Sequence, residues 1–168
     1  MQKYWILIFL TVCAVFISGC RNTGTDNDNN YPDSTEYDDE ETGTGSLELS
    51  LYTIDYDTYE CTPTVSVIQE KSEINAKLII NEVIANFKEN VIIKDIVENP
   101  DNIIVCFSDD AAPVKNVSEK MEYAMLDCIA YSLLDNLDYC NEVYFRSNDE
   151  TYESRYIYMN QNEPYISK

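Results

Sequence analysis

Histidine is absent from the 168 residues. That excludes Ser-His-Asp triads, Cys-His dyads and every imidazole-ligated metal site. Cations are also few. Eleven Lys and Arg stand against 31 Asp and Glu, a formal charge of −20. Phosphate backbones are bound by clustered basic side chains, so nucleic acid is excluded as a partner. No Cys-x-x-Cys spacing occurs among the six cysteines, which leaves out redox dithiol motifs and short-spaced zinc knuckles. No apolar run is long enough to span a bilayer. The longest, residues 4–19, covers roughly 24 Å as a helix against a hydrocarbon core of about 30 Å.

What that run resembles instead is a secretory leader. Lys3 supplies a positive start, residues 4–17 carry no charge, and small residues follow. Ile17-Ser18-Gly19-Cys20 has the order of a bacterial lipobox, in which small residues admit the peptidase and the thiol accepts diacylglycerol. Cys20 is the expected lipidation site. Further acylation, by palmitate or a similar chain, would make the anchoring stable. Residues 1–19 are then a removable signal peptide, and the product is expected on the cell membrane, facing outside the cytoplasm.

Residues 20–46 form a separate region. Positions 21–46 contain no aliphatic side chain, and the stretch carries eight acids and one Arg. Such a segment cannot offset the entropy of ordering its backbone, so an acidic disordered tether is expected. Its r.m.s. reach is about 28 Å. Asp26 to Asn30 starts like a calcium loop, but Tyr31 and Tyr37 occupy the positions that need Gly and a bidentate Glu.

Residues 47–168 carry the periodic patterns, enough for one modest core. Leu47, Leu49 and Leu51 alternate with polar residues as in a half-buried strand, and 64–68 reads as a second strand. Ser72 is the expected cap of a helix of about four turns, striped by Ala76, Ile79, Ile80, Val83 and Phe87. Residues 91–97 and 103–108 make a hairpin. Ser118 caps a second helix, with Glu119 and Glu122 near its positive end and Met121, Ala124, Met125, Cys128, Ile129, Ser132 and Leu133 inward. Val143 and Phe145 mark a further strand, and a short one lies near 155–159. The order ββ-α-ββ-α-β-(β) predicts an α+β fold, two helices on one face of a mostly antiparallel sheet.

Residues 49–148 resemble the GerMN domain, a sporulation and germination module of bacterial lipoproteins and other envelope proteins. The likeness lies in Leu51-Tyr52, Ile79 and Val83, the strand Ile103-Ile104-Val105-Cys106-Phe107-Ser108, Tyr131-Ser132-Leu133-Leu134 and Val143-Tyr144-Phe145. Asp135-Asn136-Leu137-Asp138 and Ser147-Asn148-Asp149 replace turns that family members usually carry. The helix-hairpin-helix-strand portion is also similar to ring-building modules of secretion and sporulation assemblies. The resemblance implies a protein-interaction role in the envelope, possible in sporulation or germination, with no catalytic residues.

The residues themselves offer little chemistry to set against that. Cys106 and Cys128 fall on apolar positions and are expected as buried free thiols outside any disulfide, while Cys61 and Cys140 are left undecided. Asp55, Asp57, Asp109 and Asp110 sit in loops that turn chemistry explains. Tyr156 and Tyr158, two apart, could present rings to a sugar from one strand face. No enzyme, cofactor or metal is expected. The expected partners are the membrane, through lipid on Cys20, and an envelope protein. A glycan- or peptide-binding module, with peptidoglycan as ligand, is the alternative, and a carboxylate hydrolase ranks last.

Overall fold

Alternation of Leu47, Leu49 and Leu51 with polar neighbours does produce a strand, β1 (Leu47–Asp55), and Leu49 and Leu51 are buried. It turns at 56–59 into an antiparallel partner, β2 (Glu60–Ile68). The turn is built by Asp55, whose Oδ1 accepts from the N–H groups of Asp57 and Thr58 at 2.8 and 3.3 Å. Tyr59 closes it with φ of 62°, a left-handed conformation unusual for a side chain of that size. The computed structural model describes residues 46–68, 73–147 and 151–168.

The fold is α+β, with two helices among the described residues and the expected order of elements. Helix α1 (Ala76–Ile84) is shorter than its apolar stripe suggests. Asn75 is its cap, accepting from Leu78 N at 2.9 Å, and Glu73 precedes the helix. Ser72, the expected cap, lies outside the described residues. At the other end, Asn86 N and Phe87 N bond back to Val83 and Ile84 at 3.1 Å. These three-residue closures tighten the last turn and leave Phe87 half-buried beyond the helix.

The hairpin β3 (Ile93–Glu98) and β4 (Asn102–Phe107) follows, and then α2 (Glu119–Asn136) returns the chain to β5 (Glu142–Ser147), parallel to β4. A helix this long lets the chain re-enter the sheet in the same direction, which a short turn cannot do. Ser118 caps α2 as expected, its Oγ accepting from Met121 N at 3.4 Å. The C-terminal stretch adds the hairpin β6 (Tyr152–Glu153) and β7 (Tyr158–Met159), and then β8 (Ile166–Ser167), antiparallel to β5. Among the described residues the strands form three sheets: β1-β2, β3-β4-β5-β8 and β6-β7.

Helix α2 is the centre of the core. It packs against β1, β2, α1 and β5. Leu126, Ala130 and Leu134 are buried as well as the stripe read from the sequence, because neighbours cover the helix on more than one side. Rings from the strands complete the core, with Phe107 against Phe145 at 5.5 Å and Phe145 against Tyr165 at 5.0 Å between centroids. The tail is tied to the helix, since Tyr165 Oη donates to Asp127 at 2.6 Å.

Candidate functional site

Two features of the described residues can meet another molecule: the hairpin β1-β2 and a groove beside the start of α2.

The hairpin is asymmetric. In its register Ser50 faces Val65 and Tyr52 faces Pro63. The N–H groups of Ser50 and Tyr52 point away from β2, toward α2, where Asn136 Oδ1 accepts the first at 3.0 Å and Ser132 Oγ the second at 2.9 Å. Asn136 Nδ2 donates to Ser50 O at 2.7 Å. One edge of the hairpin is therefore closed by helix side chains. By the same alternation, the backbone groups of Pro63, Val65 and Val67 point out from the opposite edge. Among the described residues β2 pairs with β1 alone. Pro63, which has no N–H to offer, is accommodated there for that reason. Val65 and Val67 are 64% and 50% exposed, an apolar pair on an open strand.

The groove, about 590 Å³, is lined by the 114–117 loop, the first turns of α2 and the segment between β6 and β7. Its floor holds Glu122, which is fully buried. Tyr152 Oη donates to Glu122 Oε1 at 2.8 Å, while Oε2 has no hydrogen-bond partner among the described residues. Burial raises the Glu122 carboxyl above its ordinary range. The Ser154 and Tyr152 hydroxyls pull it back, and Glu119 adds to the rise. Asp109, Lys115, Glu153, Arg155 and Tyr156 stand around it. A carboxyl so held can accept a hydrogen bond from a ligand, or donate one when protonated.

In the sequence Glu122 has the place of an ordinary acid in the first turn of α2. Its spacing to Met125, Leu126 and Ile129 was the available signal, since it puts the carboxyl on the inner stripe. The Tyr pair does not share a strand face. Tyr158 lies in β7, but Tyr156 belongs to the preceding turn, whose N–H bonds to Ser154 Oγ at 3.0 Å. Asp55 serves the turn of the first hairpin. Asp110 accepts from Ser108 Oγ, and Asp109 stands 4.0 Å from Lys94 Nζ. Exposed as it is, that ion pair contributes little to stability. Ile17, Ser18, Gly19 and Cys20 lie outside the described residues.

The burial expected of Cys106 and Cys128 is found, and no disulfide joins cysteines among the described residues. Cys106, Cys128 and Cys140 are buried. Cys61 on β2 is half-buried, and its sulfur lies 3.1 Å from that of Cys128 on α2.

No protein-family model matches the chain, and no curated protein does. Among solved structures it is similar to the crystal structure of a Clostridium perfringens protein assigned as a lipoprotein. The identity is 18% and the TM-score 0.45, with 74% of this chain and 89% of that one covered. A score of that size is below what a shared fold gives, and the functional reading rests on this chain's own residues. Among the described residues, no helix is long and apolar enough to cross a membrane.

Proposed function

We propose that the chain is a lipid-anchored protein of the bacterial envelope whose folded domain is a non-enzymatic, GerMN-like interaction module, serving spore formation or germination. The anchor rests on the leader and on Cys20 behind Ile17-Ser18-Gly19. One observation carries the interaction role: the open edge of β2 displays Val65 and Val67, while the other edge of the same hairpin is closed by Ser132 and Asn136. An extended segment of a partner protein can add to such an edge, with backbone hydrogen bonds for affinity and the valines for apolar contact.

Val65→Pro tests it. The position resembles Pro63, with its N–H directed outward, so the fold should survive while the edge loses a donor. Pull-down from solubilised envelopes should recover a protein partner with the wild type and not with the variant. Equal recovery by both would contradict the reading.

The Glu122 oxygen that no described residue bonds favours a second reading, a binding module for cell-wall glycan or peptide. Sedimentation with purified peptidoglycan separates the two. Retention that is lost in Glu122→Ala and unaffected by Val65→Pro would favour the groove.

A further inference from the structure

We infer that Cys61 and Cys128 are a disulfide-forming pair that fastens β2 to α2 once the chain has left the cytoplasm, an inference that rests on the exported reading above.

The geometry is specific to these two cysteines. Cys61 sits opposite Ile54 in the hairpin, and Cys128 is fully buried on the inner side of α2. Their sulfurs are in contact at 3.1 Å although 67 positions separate them in sequence. Cys140 is engaged elsewhere, its sulfur 3.6 Å from Glu142 O. The packing that brings the pair together does not depend on a covalent link, because Leu49 and Leu51 of β1, Ile79 of α1 and Met125 and Ile129 of α2 share one buried core.

The two thiols differ in access, and that sets the order of steps. Cys61 is half-buried and can meet an oxidant, while Cys128 cannot. The hydrogen bond to Cys61 and then burial push the Cys128 thiol far above its ordinary range, so Cys128 is no attacking thiolate before Cys61 has reacted. The oxidant is a disulfide of the extracytoplasmic compartment, carried by a protein or a small molecule. Cys61 loses its proton and attacks one sulfur of that disulfide, forming a mixed disulfide and releasing one thiol. Cys128 then gives up its proton and attacks Cys61 Sγ, and the second carrier thiol departs. Two cysteine thiols are oxidised, one carrier disulfide is reduced to two thiols, and the charges balance.

The closed loop takes in most of β2, all of α1, the β3-β4 hairpin and the first half of α2, so the unfolded chain loses much of its freedom. Reduction should lower Tm by on the order of 10 °C in the wild type and leave the Tm of Cys61→Ser and Cys128→Ala unchanged, since neither variant has the link to lose.

The test uses the full-length protein. Cells are quenched in acid, free thiols are alkylated, and the protein is digested without reductant. Trypsin leaves Cys128 and Cys140 on one peptide, residues 121–146, so fragmentation between them assigns the linked sulfur. A Cys61–Cys128 cross-link is expected. Separate alkylation of both in a protein carrying lipid on Cys20 overturns the inference and leaves the export reading intact. If Cys20 carries no lipid, the export reading fails, and the pair is then judged on purified protein with oxidised glutathione. Failure to link there, or linkage of either cysteine to another, overturns it.

Discussion

The side chain of Asn136 stands beside Ser50 as a neighbouring strand would. Its Oδ1 accepts from Ser50 N at 3.0 Å and its Nδ2 donates to Ser50 O at 2.7 Å. Ser132, one turn earlier on α2, takes the N–H of Tyr52 at 2.9 Å and donates to Cys128 O at 2.7 Å. A helix thus occupies one edge of the hairpin and leaves the other to solvent. Asn136→Ala should therefore cost about 1 kcal/mol, since both hydrogen bonds to Ser50 are exposed and water takes over part of their worth. Urea denaturation measures it, and a variant as stable as the wild type would show that this edge is held by packing alone.

Glu122 makes stability depend on pH. Its carboxyl is raised by burial, so the folded state holds the proton more tightly than the unfolded state does. Its contribution is then most favourable at acid pH and is lost as pH rises through the folded value. Glu122→Gln cannot ionise and should unfold at a higher temperature than the wild type at pH 7.5. The gap should narrow as pH falls toward about 4.3, the unfolded carboxylate value. A gap that is constant with pH, or widens on acidification, would show that the groove does not penalise the charge.

The legible parts of this fold were those with a local signature. Leucine alternation gave β1, and the stripe from Met121 to Leu133 gave α2. Ser118 before Glu119 marked where that helix starts. Helix α1 ends before its apolar stripe does, because Phe87 keeps the helical spacing after the backbone has tightened into three-residue turns. The parallel pairing of β4 with β5 carries no local mark, and β8 is too short to show a period. Of the candidate sites, the burial of Glu122 was readable from its inner-stripe spacing. The Cys61–Cys128 contact and the closure of β1 by Asn136 were not, since each depends on how a helix is rotated against a strand.

Anchoring is tested at Cys20. Cys20→Ala should abolish incorporation of labelled palmitate and leave unprocessed precursor or shed protein. Normal labelling of the variant would contradict the lipobox.

The acidic stretch is expected to provide reach rather than stability. Deleting residues 21–46 while keeping Cys20 should leave Tm nearly unchanged, since the segment has no aliphatic residue to bury, and should impair function in cells. A scrambled stretch of equal length and charge should restore it. Failure of an exported, folded scramble would reveal a recognition motif in the native order.

The most direct measurement places a photoreactive amino acid at Val67 of the full-length protein and irradiates living cells. The account predicts a discrete adduct with an envelope protein, lost when Val65→Pro is added and absent when the probe sits at exposed Glu163. A folded, lipid-bearing protein that gives no protein adduct from position 67, or one that cleaves purified peptidoglycan, would contradict a non-enzymatic module working through the open edge of β2.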